Sequence, residues 1–479
     1  MVWKHTYGES RPSVRALPWL TTGNVGDVFS LNVLGDTIIV LNTVKAGADL
    51  LDRRAATYSD RGRLIAGGDV MCGGLALAFQ NTGTRWRRMR KATQEALNDK
   101  GVLKQLDHDN VSEAIVLTLG LLKEPGHYRG HIHRTTASLV LSATYGTPPV
   151  ASKDDTIVQL ADEWIARLVG ENGLGAHLVD TFPVLRHVPR RFSKWRRQAE
   201  AWFAQDTSRF IDLLKGVQSD MDAGVERPSL ASVVLRTDEM RHSLSSLEKA
   251  WTAGFMYGAG TDTMATTFEW WMLAMISHPD IQARAQAELD TVVGRARIPT
   301  AADLPNLPYV RATIREALRW RPASPTGMPH RASQDDWYEG MFIPKGALVI
   351  PNVAAMNLEP YGADAHMFEP ARHLNVRGEM APAPADTHDE GHVTFGFGRR
   401  LCVGRHVANA SLAMHAAVTL WACSMGLAKD EAGRDIPVDV DRRDINGLSV
   451  RPQPFKCSIV PRFSDSPHIL VEEHDMRVL

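Results

Sequence analysis

The stretch Phe395-Gly396-Phe397-Gly398-Arg399-Arg400-Leu401-Cys402-Val403-Gly404 constrains this chain more than any other. Its glycines at 396, 398 and 404 let the backbone turn tightly and approach a flat partner, which a β-carbon would obstruct. The residues that follow, Arg405 to Met414, carry apolar side chains at helical spacing, so Cys402 is expected at a helix N-terminus. Free amides and the helix dipole favour negative sulfur there. On these residues alone three readings stay open. Cys402 is an ordinary buried thiol; or, with His406 four residues on, it is part of a zinc site or a Cys/His nucleophile, although no third ligand cluster with metal spacing accompanies the pair; or it is a thiolate ligand suited to iron, with the ring of Phe395 covering one side. A dinucleotide loop is excluded, because Arg399-Arg400-Leu401 stand where the third glycine should fall.

Other constellations lie far upstream. Residues 81–98 read as a basic helix on which Trp86 and Arg90, four apart, share a face. An indole N–H beside a guanidinium fork can hold a carboxylate pair; a solvated helix with a half-buried tryptophan is the alternative. A long helix from about Ser246 to Ser277 contains Tyr257-Gly258-Ala259-Gly260-Thr261-Asp262-Thr263. Each glycine there costs about 1 kcal/mol against alanine, which suggests either that something small lies against the backbone or that helices pack closely. Thr263 can bond back to the Ala259 carbonyl and open the helix locally, while Asp262 can relay protons. Pro308 fits the first turn of a helix ending before Pro322, and within it Glu316 and Arg319 are three apart and can pair.

These pieces of one site are scattered from Trp86 to Cys402, so residues 1–479 are expected to form a single domain. Residues 28–33 and 37–41 read as a β-hairpin around Gly35-Asp36, followed by a short helix over 46–54 and a long loop over 58–83. Residues 154–172 and 190–215 read as two amphipathic helices, 325–331 and 340–350 as turns and strands of a small sheet, and 445–450 with 455–460 as a final hairpin. Lysine plus arginine (54) nearly cancels aspartate plus glutamate (55), which argues against a nucleic-acid partner. The four cysteines are too few and too irregularly spaced for a disulfide framework. Residues 1–10 show neither a signal-peptide pattern nor a run long enough to span a bilayer.

The pattern Phe-x-x-Gly-x-Arg-x-Cys-x-Gly is met in full by Phe395, Gly398, Arg400, Cys402 and Gly404, and it resembles the haem-binding loop of the cytochrome P450 family. The other motifs follow in that family's order. The resemblance implies a mainly α fold with small β-sheets, the cytochrome P450 fold, in which a helix-rich body carries a smaller β region drawn from both ends of the chain. It implies haem b with Cys402 as axial ligand to the iron, and Trp86, Arg90, His330, Phe395, Arg400 and Gly404 as residues that bind the cofactor. Asp262 and Thr263 match the acid-alcohol pair of the oxygen-activation motif. Glu316 and Arg319 are implied to lock to Arg372, although Ala371 and His373 depart from the usual Pro-Glu-Arg-Phe, which leaves the form of the lock open.

Arg53 to Arg61 and Gly398 to Cys402 look most like a fungal microsomal-type member. The implied activity is monooxygenation, a hydroxylation or epoxidation of a hydrophobic small molecule in secondary metabolism or xenobiotic oxidation. Electrons are implied to come from NADPH through a separate NADPH-cytochrome P450 reductase, docked near Arg85, Arg87, Arg88, Lys91, Arg399 and Arg405. The alternatives are a haem-thiolate isomerase, dehydratase or carrier, and a colourless Cys402 hydrolase. The resemblance also implies the cytoplasmic face of the endoplasmic reticulum. The resemblance makes the helices at 154–172 and 190–215, with the segment joining them, a lid over the substrate cavity. With no membrane-spanning anchor in the chain as written, the expectation is a cytoplasmic protein or peripheral membrane contact through that lid, where Arg190, Arg191, Lys194, Arg196 and Arg197 mix with Phe192 and Trp195.

Overall fold

The computed structural model describes residues 26–150, 152, 155–171, 176–236, 243–446 and 449–478. The expectations for residues 1–10, and residues 447–448 of the span 445–450 read as a strand, lie outside the described residues.

The first hairpin forms as its sequence dictates. Strands β1 (Val28–Val33) and β2 (Asp36–Leu41) pair antiparallel across Leu34 and Gly35, both at positive φ, a turn whose twist matches that of the strands it joins. It does not stand alone. With β3 (Asp60–Arg61), β4 (His330–Arg331) and β7 (Leu348–Pro351) it makes a five-stranded sheet in the order β1-β2-β7-β4-β3, so distant parts of the chain meet at one sheet. Strands β5 (Asp336–Tyr338) and β6 (Met341–Ile343) form a separate hairpin. Ile39, Leu41, Ile343 and Val349 build a small core under the large sheet, and Phe397 from the cysteine loop is buried in the same core.

Two local expectations shift. The short helix starts earlier, at Val44, where the Thr43 hydroxyl caps the Ala46 amide at 3.3 Å, and it runs into a π-helical stretch over Ala48–Arg53. The span 58–83 is not all loop: it holds β3 and a π-helical segment, Ile65–Met71.

The helical body comprises α1 (Thr84–Leu97), α2 (Lys100–Lys123), α3 (Tyr128–Tyr145), α4 (Thr156–Glu171), α5 (Lys194–Asp222), α6 (Leu230–Arg236), α7 (Ser246–Ser277), α8 (Pro279–Val292), α9 (Pro308–Trp320), α10 (Arg405–Ala422) and α11 (Ser466–Val478). Helix α7 is its axis. A capping box starts it, with Ser245 and Glu248 satisfying each other's amides, and α3, α4, α5, α9 and α10 pack along it. Trp251, Trp270 and Trp271 on α7, with Trp421 on α10, are fully buried. Helix α11, which packs on α2, had no counterpart in the sequence reading.

The C-terminal strands pair differently from expectation. Residues 445–450 make a hairpin of their own, β9 (Arg443–Asn446) with β10 (Ser449–Pro452), whereas β11 (Cys457–Pro461) pairs with β8 (Cys423–Leu427). Pro452 and Pro454 explain the separation, since each removes a ladder donor and ends the run between the two segments.

Candidate active site

The cysteine loop is held from three sides. Gly398, at φ +53°, lies against β2's connection: a β-carbon there would sit 2.2 Å from the Leu51 carbonyl, so only glycine fits. Its amide donates to Asp52, and the neighbouring Phe397 ring packs on Gly47. Within the loop the Cys402 amide donates to the Phe395 carbonyl at 2.8 Å, and Gly404 caps α10. The Phe395 ring lies 5.4 Å from that of His392. Cys402 presents an accessible surface, yet it is embedded deeply enough that desolvation raises its thiol's pKa. Both hold when the sulfur stands on the wall of an internal space. The Gly404 N–H and the charges of Arg90 and Arg405 work in the opposite direction, toward thiolate.

Beside the loop the structure gathers buried cations. Arg400 donates to the carbonyls of Ser59 (2.8 Å), Leu77 (3.3 Å) and Gln80 (2.5 Å) and stacks over Trp86 at 4.2 Å. The Trp86 indole itself donates to the Leu77 carbonyl at 3.2 Å, and Arg90 donates to that of Leu401. His330 is 4 % exposed and donates from Nδ1 to the Tyr58 carbonyl at 2.7 Å; burial and the nearby Arg61 and Arg400 hold its pKa well below the usual range.

Arg61 belongs to this group and was missed as a site residue. It is the cross-strand partner of His330 in the β3–β4 pair, buried, and hydrogen-bonded to the carbonyls of Ala78, Met328 and Pro329 at 2.9–3.0 Å. Reading 58–83 as a loop hid a strand that aims its side chain inward. Burial depresses the pKa of Arg61, Arg90 and Arg400, in the last case to about 10, and their mutual repulsion adds to it. Among the described residues none of the three has a carboxylate within 4 Å. A buried positive cluster of this kind calls for an anion.

On α7 the stripe Met256, Ala259 and Gly260 is half-buried and Thr263 exposed, although their neighbours Tyr257, Gly258, Thr261, Asp262 and Met264 are buried. One helix face therefore opens onto space deep in the body. Thr263 does donate to the Ala259 carbonyl, at 2.9 Å, but the helix stays α-helical throughout Ser246–Ser277 and is not opened. The glycines answer mainly to packing: a β-carbon on Gly258 would lie 1.8 Å from the Trp164 ring, and one on Gly260 3.0 Å from Val140. Asp262 is turned away from Thr263. It accepts from Ser449 at 2.7 Å and pairs with Arg451, both on β10.

The remaining predicted group comes together with an extra member. Arg319 grips Glu316 with two bonds of 2.7 Å, Arg372 reaches the same carboxylate at 3.0 Å, and His373 completes it at 2.8 Å. Glu316 and Arg319 are fully buried. Arg319 also donates to the carbonyls of Asn357, Ala365 and Met367, tying α9 to the segment before the cysteine loop. The departure at His373 thus adds a donor to the lock.

These residues fit a haem. Cys402 offers one sulfur to the iron, the cation cluster suits two propionates, and the open stripe of α7 leaves a face for reactants. A family model described as Cytochrome P450 matches residues 20–458. A cytochrome P450 monooxygenase of Armillaria gallica is 47 % identical over 469 residues, covering 97 % of this chain and 89 % of the relative. Cytochrome P450 monooxygenase 58 of Postia placenta is 42 % identical over 455 residues, covering 94 % and 86 %. A solved zebra fish cytochrome P450 with abiraterone aligns with a TM-score of 0.69 over 91 % of this chain and 97 % of that one, at 20 % identity, a likeness of fold. From the cysteine loop, the arrangement of helices and these relatives together, the chain belongs to the cytochrome P450 family of haem-thiolate monooxygenases.

Proposed function

We propose that this monooxygenase acts on an apolar small molecule in fungal secondary metabolism or xenobiotic oxidation, hydroxylating a C–H bond or epoxidising a double bond. The observation that carries the reading is that Thr263, accessible on α7, and Cys402, accessible in the loop just ahead of α10, belong to two elements that meet where α7 and α10 pack together. The haem, when bound, supplies dioxygen binding and reductive O–O cleavage. Cys402 would hold it through iron, and Arg61, Arg90, His330 and Arg400 would hold its propionates, with Phe395 and Gly404 shaping the loop. Trp86, expected to bind a propionate by its N–H, gives that N–H to Leu77 and would instead support Arg400 by stacking.

The chain's own part in the reaction is positional. Thr263 gives its hydrogen to Ala259, which leaves its oxygen free to accept from a water on the open stripe. Asp262 supplies protons to that water after releasing Arg451. Thr263→Ala should therefore keep NADPH and oxygen consumption while losing product. Unchanged product per NADPH removes the role. Cys402→Ser should abolish the thiolate signature of the carbon monoxide-bound protein, and an unaltered spectrum refutes the ligand assignment.

The electron donor we propose is NADPH-cytochrome P450 reductase. Arg85, Arg87, Lys91 and Arg399 are exposed around the cysteine loop, which adjoins α1 through the Arg90–Leu401 bond, while Arg88 and Arg405 face Glu248 and Glu390. Raising ionic strength should slow reduction, and salt-insensitive reduction counts against this face. Among the described residues no helix is long and apolar enough to cross a membrane. The lid instead exposes Leu178, Val184 and Phe192 beside Arg186, Arg190 and Arg191, a surface suited to peripheral contact with anionic lipid on the cytoplasmic face of the endoplasmic reticulum. Co-sedimentation with anionic vesicles that does not weaken in Phe192→Ser would refute that contact.

A further inference from the structure

Helix α7 carries a second buried acid, and the mechanism above makes no use of it. Glu269 lies seven residues beyond Asp262, two turns along the same helix face and about 10 Å of rise away. It is fully buried, and neither carboxylate oxygen has an aligned hydrogen-bond donor. Arg129 on α3 stands at 3.2 Å, in ion-pair range, with its own side chain 27 % exposed and so in touch with solvent. The other charges acting on Glu269 are Arg451 on β10, His133 on α3 and Asp262 itself. Arg451 pairs with Asp262 and contacts His133 at 3.3 Å.

Two acids thus share a face, and the guanidinium paired with Asp262 also acts on Glu269 through its charge. Two turns of helix are too far for the acids to touch directly, and Arg451 is the group that sees both. Desolvation raises the Glu269 pKa, which favours its neutral form, while Asp262 is held by Arg451 and by Ser449. With Glu269 neutral, Arg451 is left to Asp262; with Glu269 ionised, Arg451 is drawn toward it.

We propose that Glu269 is the proton store for Asp262, and that Arg451 exchanges its pairing between the two acids as the proton moves. The step balances through Thr266, which lies between the two acids on the same face, fully buried and with its hydroxyl unpartnered. The hydroxyl gives its proton to the Asp262 carboxylate and takes one from the Glu269 carboxylic acid, leaving Glu269 carboxylate and Asp262 carboxylic acid, and the guanidinium follows the negative charge. Asp262 then gives its proton to the water held by Thr263 and returns to Arg451. Glu269 is reprotonated from solvent on the Arg129 side. The proposal rests on the proton role of Asp262 given above.

The test pairs infrared spectroscopy of the resting holoenzyme with product coupling. At neutral pH the wild-type protein should show the C=O band of a buried carboxylic acid, lost in Glu269→Gln and kept in Asp262→Asn. A spectrum without the band, or a band that survives Glu269→Gln, shows Glu269 ionised and overturns the proposal. Glu269→Gln is isosteric with the neutral acid, so it should fold and bind haem normally; failure to fold means the anion is needed opposite Arg129, and also overturns it. Product per NADPH should fall about tenfold in Glu269→Gln and recover in part in Glu269→Asp. Normal coupling in Glu269→Gln with poor coupling in Asp262→Asn sinks this proposal alone, whereas normal coupling in both sinks the role of Asp262 as well.

Discussion

Replacing Gly258 by alanine separates two uses of the small residues on α7. If the glycine keeps the backbone bare for a small reactant, alanine should alter chemistry and stabilise the helix by about 1 kcal/mol through propensity. The structure argues for packing. The added methyl would lie 1.8, 2.4 and 3.0 Å from three carbons of the Trp164 ring, well inside contact distance, so the indole must move by more than 1 Å. It has nowhere easy to go. Trp164 is 3 % exposed and meets Phe210 and Phe255 edge-on at 5.5 and 6.2 Å. Such ring pairs contribute about 0.5–1.5 kcal/mol each beyond area burial, and overpacking a filled core costs about 1–3 kcal/mol. Taking the upper end of overpacking against the propensity gain gives a net loss of about 2 kcal/mol. Denaturant titration of the holoprotein, read by haem absorbance and by far-UV circular dichroism, measures the midpoint shift. Trp164→Leu supplies the partner arm of a double-mutant cycle, in which Gly258→Ala should turn from destabilising to stabilising by about 1 kcal/mol. The reasoning fails if Gly258→Ala is as stable as wild type, or if its effect is the same with leucine at 164.

Glu316→Gln should prevent accumulation of folded holoprotein, because it strands Arg319 and Arg372 without an anion, and breaking one partner of a buried pair costs about 3–5 kcal/mol; normal haem content in that variant would contradict the lock. Arg61→Leu should raise the rate of haem transfer to apomyoglobin roughly tenfold, since a hydrogen bond to a charged group is worth about 1.5–3 kcal/mol, while leaving far-UV circular dichroism unchanged. His415 is fully enclosed, with burial pushing its pKa down to about 3 from an ordinary 6.5. Its folded-state pKa is depressed, so the unfolded chain binds the proton first and this contribution, complete above pH 6.5, is lost as pH falls toward 3, at about 1.4 kcal/mol per unit. His415→Gln should flatten the acid limb of a stability profile between those values, and an unchanged limb would show that the imidazole is not held neutral.

Much of the site was legible because its chemistry sits in short runs. Cys402 is placed by its position ahead of α10, and Glu316 with Arg319 by helical spacing. Each of these relations spans a few residues. Arg61 escaped because its role depends on a strand of two residues whose partner, His330, is 269 positions away; no local pattern marks so short an edge element. His373 looked like a departure from pattern and proved to be a third side chain donating to the Glu316 carboxylate, since an imidazole donor at that position serves the same acceptor. The pairing of β11 with β8 was likewise non-local, and only the prolines at 452 and 454 hinted that β10 would not continue to it.

Asp262 shows where motif reading and geometry diverge most. Adjacent residues on a helix point about 100° apart, so Asp262, while it is paired, lies off the open face of Thr263, and its burial requires partners of its own. The chain supplies them from β10, beyond residue 448, in the form of Ser449 and Arg451. A carboxylate so held is a poor proton donor until Arg451 lets go, and letting go is unfavourable unless the guanidinium finds another anion. Helix α7 offers one on the same face, two turns on, at Glu269. On the proposed role of Asp262, proton supply would be tied to the position of β10 as well as to the two residues of the motif, and substitutions in β9 or β10 should change coupling even where they touch neither Asp262 nor Thr263.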